Sequence, residues 1–315
     1  MVKWLIAIAL LLFVAPAQAQ LNGCPGGFCS PGAPAGNSLP SHSTGTCPQS
    51  NAFFSRVTGL SNKEAGAYNL LICGLVADGI ITGGLNGPNS CGNVLDLLYV
   101  FATNTTTTAN TNLCGTLYLL VPTEGLPVFT SDVGYTAGSG CLNTQFIPSA
   151  ANGNMQFISA HWGIYILTNR TANTTTSLLG AQDAAGDTTD FLPLYNSSGT
   201  PNSMNVNVNS GSFGATIANP AATTQGSWIS SRTSPTLTTI YRNGSALTSQ
   251  NTGLGVQLPF VPFYILARNN NNDCQVPDSV QVSAAWLGGG LNSTQAGLIQ
   301  TRINNYMKTF GINVY

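Results

Sequence analysis

Leu237-Thr238-Thr239-Ile240-Tyr241-Arg242, Asn243-Gly244, Ser245-Ala246-Leu247-Thr248 read as two strands joined by a two-residue turn. Asn and Gly both accept the positive φ that a type I′ turn requires at its central positions, and the twist of that turn matches a hairpin. The register sets Tyr241 opposite Ala246 and Ile240 opposite Leu247, one apolar pair on each face. A hairpin that is apolar on both faces is expected to be covered on both.

Downstream, Phe263-Tyr264-Ile265-Leu266-Ala267-Arg268 is apolar at nearly every position, as in a strand packed on two sides. Val280, Val282, Ala284 and Trp286 alternate with Gln281, Ser283 and Ala285, the period of a half-buried strand. After Gly288-Gly289-Gly290 the period lengthens. Asn292 and Gln295 make a capping box, Ile299, Ile303, Tyr306 and Phe310 form one helical stripe, and Gly311 ends it with Lys308 in the last turn.

This order of parts, with its Ile-Tyr-Arg-Asn-Gly hairpin, Ala-Arg-Asn strand end, Trp-Leu-Gly-Gly-Gly strand and Leu291-Asn292-Ser293-Thr294-Gln295 helix start, resembles the concanavalin A-like lectin/glucanase superfamily, laminin-G-like branch. The resemblance covers residues 95–315 and implies a two-sheet antiparallel jelly-roll sandwich. Such domains occur in lectins, glycanases, adhesins and phage or surface proteins, so the fold alone selects no function.

Residues 1–19 carry Lys3, an apolar run from Trp4 to Val14 and Ala17-Gln18-Ala19, the pattern of a secretory signal peptide. Residues 20–55 are rich in Gly, Pro and Ser with cysteines and read as a linker or stapled extension. Leu21-Asn22-Gly23-Cys24 is a poor lipoprotein box. Within 56–94, Ser61 and Glu64 form a capping box ahead of Tyr68, Leu71, Leu75 and Ile80, a helix to Asp78 that must pack on the sandwich of 95–315. Strands are expected at Leu95–Ala102, Thr116–Val121, Gly140–Phe146 and Phe157–Leu167, with residues 103–113 a polar loop. Met204, Val206 and Val208 alternating with Asn205, Asn207 and Asn209 mark another strand with one wet face.

Charged residues are only 6% of the chain and the net charge is -1. Nucleic acids and anionic membranes bind clustered Lys and Arg, which are absent, so neither is an expected partner. Eight cysteines in an exported chain point to disulfides, and the lack of any C-x-x-C pair argues against zinc. Pairing sequence neighbours gives Cys73 with Cys91 and Cys114 with Cys141, leaving Cys24, Cys29, Cys47 and Cys274 to staple the N-terminal segment.

A glycanase on this fold needs two carboxylates flanking the scissile bond, but beyond residue 19 the only glutamates are Glu64 in a cap and Glu124 in a turn. The Glu-x-Asp-x-Glu arrangement is missing, no G-x-S-x-G elbow occurs, and the histidines are His42 and His161. The chain reads as a non-enzyme. Asp183, Asp187 and Asp190 in one loop, with Asp273 and Asp278 in another, are oxygen donors of the kind calcium takes, making calcium the one cofactor to consider. N-x-S/T sequons stand at Asn104, Asn169, Asn173, Asn196, Asn243 and Asn292.

Two functional readings follow. One is a secreted glycan-binding or adhesive surface module. The other is a structural component of an extracellular filament, coat or phage-like particle, built by self-assembly or on another surface protein. For the first, strand parity buries Ile158, Ala160, Trp162, Ile164 and Ile166 and sends His161 and Tyr165 to the opposite face. Gly163 between them leaves a notch where Tyr165 stacks on a sugar and His161 bonds a hydroxyl.

Overall fold

The computed structural model describes residues 46–170, 175–197, 200–210, 215–217, 223–254 and 257–315. Helices α1 (Pro48–Phe54) and α2 (Asn62–Ala77) precede strand β1 (Leu95–Val100) and the one-turn helix α3 (Thr106–Ala109). Short strands follow at β2 (Val121–Thr123), β3 (Val128–Thr130), β4 (Gly134–Thr136) and β5 (Cys141–Asn143). Longer ones come next: β6 (Ala160–Ile166), β7 (Leu179–Gln182), β8 (Thr188–Ser197) and β9 (Thr200–Ser210). Then come β10 (Ala215–Ile217), β11 (Gly226–Arg232), β12 (Leu237–Arg242) and β13 (Ser245–Asn251). The chain closes with β14 (Tyr264–Ile265), β15 (Arg268–Asn270), β16 (Asp273–Gln275), β17 (Val282–Gly288) and helix α4 (Ser293–Thr309).

The fold is mainly β, with two sheets, an N-terminal helical segment and a C-terminal helix. Sheet A has the order β13-β12-β11-β6-β17-β4-β3, with β1 also on β17. Sheet B has the order β10-β9-β8-β7-β14-β5-β2, with β15 and β16 attached through β7. One core, including Trp162, Trp228, Leu142 and Phe263, joins the two sheets. A second, including Tyr68, Leu75, Tyr165, Trp286, Ile299 and Tyr306, joins the other face of sheet A to α1, α2 and α4. The layers are therefore helices, sheet A, sheet B.

The decisive hairpin forms as its sequence dictates. Asn243 and Gly244 have φ of 50° and 82°, and Tyr241 pairs with Ala246. A bulge then sets Ile240 opposite Thr248 instead of Leu247, so Leu247 turns to solvent and β13 becomes an exposed edge. The turn is braced from the helical layer: the Gly244 amide donates to Gln300 Oε1 at 2.8 Å and Asn243 Nδ2 to the Val314 carbonyl at 3.0 Å.

Elsewhere bulges and breaks revise the simple periods. A bulge in β17 against β6 puts Val282, Ala285 and Leu287 in the inter-sheet core but Ala284 and Trp286 under the helices. The strand is thus buried on both faces, not half-buried. Leu266, at φ 73°, splits the expected Phe263–Arg268 strand into β14, antiparallel to β7, and β15, parallel to it. No strand covers Thr116–Leu120, and α3 sits inside the expected polar loop. Both capping boxes are present, and Glu64 Oε1 also accepts from Thr103 Oγ1 and the Asn104 amide, tying α2 to the chain after β1.

The disulfides are Cys47–Cys73, Cys91–Cys114 and Cys141–Cys274, in place of the Cys73–Cys91 and Cys114–Cys141 pairs expected from sequence order. Helix α2 carries Cys73 back to the start of α1, and β5 lies beside the β15–β16 segment, so spatial neighbours are not sequence neighbours. Cys24 and Cys29 lie outside the described residues, as does the segment 1–45. The end of the stretch read as an extension is helical, and α1 adds Ala52 and Phe53 to the second core.

Gly244→Val forces a β-branched residue to positive φ and is expected to cost about 1–2 kcal/mol, whereas Gly244→Asn is mild. Thermal melts of the two variants check this; equal melting temperatures would contradict the turn's role.

Candidate functional site

His161 and Tyr165 do share the face opposite Trp162, but that face is not open. Both are fully buried in the layer beneath α4. Tyr165 Oη donates to Asn304 Oδ1 at 2.6 Å and accepts from the Val314 amide at 3.3 Å. His161 Nδ1 donates to the Gly289 carbonyl. The Gly163 notch is filled by protein, since a Cβ there would lie 1.9 Å from Cε2 of the Trp286 indole. The pair is a packing feature and no glycan site, because the C-terminal helix covers it. Ile158, expected in the core, precedes β6 and is exposed.

The aspartates also separate. Asp183 Oδ1 accepts from the amides of Ala185 and Asp187, and its Oδ2 from the Phe260 amide at 3.1 Å. Asp187 Oδ1 accepts from the Gln257 amide. Asp190 points to Arg268, and Asp278 forms an ion pair with Arg170 at 2.5 Å. Among the described residues no group of three or more His, Cys, Asp or Glu is arranged to hold a metal, so Asp183, Asp187 and Asp190 are not brought together as one ligand set. The first two organise their own loop.

What the structure does assemble is a polar row on the outer face of sheet B. Leu179, Ala181, Val206 and Val208 enter the inter-sheet core, so by parity Gly180, Gln182, Asn205 and Asn207 lie on the opposite face, where Asn205, Asn207 and Asp190 are themselves buried and Gln182 is half-buried. Register aligns Asn207 with Asp190, Asp190 with Gly180, and Gly180 with Arg268. Gly180 is the keystone: a Cβ on it would meet Asp190 Cβ at 2.5 Å and Arg268 Cγ at 3.2 Å. Without that Cβ, Arg268 Nη1 reaches Asp190 Oδ2 at 3.3 Å across β7, and Asn207 Nδ2 donates to Asp190 Oδ1 at 2.6 Å.

The row continues through amides. Arg268 Nη2 and Asn270 Nδ2 both donate to Gln275 Oε1, at 3.4 and 2.7 Å, and Gln275 Nε2 donates to Asp273 Oδ2. Burial raises the Asp190 carboxyl above the usual range, opposed by Arg268 and the Asn207 amide. Among the described residues no protein group meets Gln182 Oε1, Asn205 Oδ1 or Arg268 Nε. At the Gln182 end, Asp183 holds the Phe260 backbone, and the Phe260 ring is 57% exposed. The face therefore presents the half-buried amides of Gln182, Asn270 and Gln275 and a charge-balanced guanidinium, with Asn207 and Asp190 buried beside them. The alternation of Asn205 and Asn207 with valines was readable in the sequence. The contributions of Gln182, Gln275 and Phe260 were not, because they depend on strand neighbours far apart in the chain.

No family model matches the chain, and neither does any curated protein. Solved structures match weakly. A Trypanosoma rangeli sialidase mutant with trans-sialidase activity aligns at 13% identity and TM-score 0.46, over 75% of this chain and 39% of that one. Domain 4 of an extracellular arabinanase from Geobacillus stearothermophilus, in complex with arabinotriose, aligns at 12% identity and TM-score 0.38, over 68% and 92%. A Streptococcus pneumoniae sialidase aligns at 11% identity and TM-score 0.36, over 46% and 24%. The chain thus spans well under half the length of the two sialidases.

The buried His161 gives a pH test. Desolvation lowers its pKa from 6.5 to about 4, against the Gly289 hydrogen bond. Between those values the unfolded chain binds a proton that the folded chain does not, so this group's stabilisation is complete above 6.5 and falls as pH drops toward 4. Urea melts across that window should lose more stability in the parent than in His161→Gln; identical slopes would contradict the assignment.

Proposed function

We propose that this protein is a secreted, non-catalytic module that binds neutral glycan on the outer face of sheet B. The observation that carries the reading is the half-buried polar set Gln182, Arg268, Asn270 and Gln275, held in place by the buried Asp190 and Asn207, with the exposed Phe260 bonded through its backbone to Asp183 next to Gln182. Sugars are recognised by amides and carboxylates bonding vicinal hydroxyls while an aromatic ring packs on the C–H face of the pyranose. The half-buried amides of Gln182, Asn270 and Gln275 supply the polar element and the exposed Phe260 ring the aromatic one.

Neutrality of the ligand follows from where the cations go. Arg268 is balanced by Asp190, Arg170 by Asp278 and Arg302 by Asp78. Arg232 is fully buried and donates to the carbonyls of Val208, Pro235 and Gly253, and Arg56 donates to those of Asn112 and Leu113. An acidic sugar would meet a face whose guanidinium is already engaged by a carboxylate.

The non-catalytic reading rests on the carboxylates. Glu64 serves a cap, Asp78 holds Arg302, Asp96 accepts from the amides of Asn154 and Met155, and Glu124 accepts from the Cys274 amide. Asp183, Asp187, Asp190 and Asp278 are engaged as described above. Each of these carboxylates already holds a backbone amide or a guanidinium, a structural role and not that of a glycosidase acid or base. Three disulfides support an extracellular setting, and no described helix is long and apolar enough to cross a membrane.

The test is retention on immobilised neutral polysaccharides, followed by a glycan array. Phe260→Ala and Gln275→Ala touch exposed or half-buried side chains, so each should keep the parental melting temperature. Each should weaken retention by about tenfold, the worth of one stacking or hydrogen-bond contact of roughly 1–1.5 kcal/mol. Binding should change little with salt. A parent retained by no neutral glycan, or variants retained as well as the parent, would refute the proposal.

A further inference from the structure

The flank of the sandwich where both sheets end carries the largest concentration of exposed apolar side chains in the described molecule. Leu117, Leu119, Val121, Leu126 and Val128 are 47%, 51%, 46%, 74% and 54% exposed, and all lie within one run of twelve residues. The run spans the last strand of sheet B, β2, and the last strand of sheet A, β3. Scattered exposed leucines are ordinary, but a cluster of this density marks a surface that is covered by something.

We infer that this flank is the contact between two copies of the chain, related by a twofold axis. Charge is the first argument. No Lys or Arg occurs anywhere from residue 64 to 169, and the one acid inside the run, the exposed Glu124, is held on the Cys274 amide at 2.9 and 3.0 Å. A patch with no cation and a single acid fixed at one place brings little charge against its own twofold image and offers nothing to an acidic partner or an anionic lipid surface.

Area is the second argument. The five side chains expose on the order of 450 Å² per copy, so two copies bury roughly 900 Å² from these residues alone. With a polar rim this reaches the 1,200–2,000 Å² or so of a stable interface. The mode of contact is side-chain packing and not strand addition, because Pro122 lies within β2 and Pro127 directly precedes β3, and each removes an amide donor from its edge.

The experiment is sedimentation velocity over a concentration series, on the parent and on Leu126→Asp with Val128→Lys. Both positions are exposed, so an unchanged melting temperature certifies the fold of the variant. The parent should sediment as a dimer whose population rises with concentration, and the variant should associate at least about tenfold more weakly. A parent that stays monomeric, or a dimer indifferent to the two charges, overturns the inference. Flotation with phosphatidylcholine vesicles is the second arm: a monomeric parent that floats, with loss of floating in the variant, would assign the flank to lipid and overturn it as well.

Discussion

Burial of sheet A on both faces is the constraint from which the rest of the architecture follows. In β6 the residues Trp162, Ile164 and Ile166 fill the inter-sheet core while Tyr165 fills the layer beneath the helices, so one strand serves two cores in alternation. The two indoles of neighbouring strands β6 and β17 point to opposite sides, and Gly163 is the position that lets Trp286 lie flat against the sheet. A side chain at Gly163 would lift the indole and with it the seat of α4. Once sheet A is closed on both sides, a ligand has only edges or the outer face of sheet B to meet, and the polar row lies on the latter.

The near absence of surface charge has a structural counterpart. A chain with 9 Lys and Arg in 315 residues places most of its guanidiniums in buried or half-buried structural roles, the clearest being Arg232, whose donors meet carbonyls on both sides of the sandwich. Such an arginine bridges β11 of sheet A to β9 of sheet B with hydrogen bonds that neutral side chains of the same reach cannot all supply. Solubility then falls to Asn, Thr, Ser and Gln, which hydrogen-bond in water without long-range fields. A surface of this kind discriminates by shape and local hydrogen bonding and not by electrostatic steering.

Local chemistry was legible in the sequence, and long-range coverage was not. The Asn243-Gly244 turn, the Ser61–Glu64 and Asn292–Gln295 capping boxes, the helical stripe of Ile299, Ile303 and Tyr306 and the parity of β6 all arise from interactions within a few residues, and each formed as read. Parity fixed that His161 and Tyr165 share a face, but which element covers a face is decided by a helix more than a hundred residues away. The same distance explains the disulfides, since Cys141 meets Cys274 across 133 positions. Single bulges account for the remaining differences: one inserted residue in β17 or β13 reverses every side chain beyond it, and a period of two contains no sign of where that insertion falls.

The candidate face illustrates how a glycine can organise a site without touching a ligand. Arg268 and Asp190 belong to strands on either side of β7, and a side chain on the intervening residue would stand between them. With Gly180 there, the guanidinium lies down across the strand, meets the carboxylate, and still keeps Nη2 for Gln275. The ion pair is buried at the Asp190 end and half-open at the Arg268 end, so desolvation, which raises the aspartate, is only partly offset by its partner. The guanidinium and the carboxylate thus hold each other in place, and the geometry that assembles the row is also what balances its buried acid.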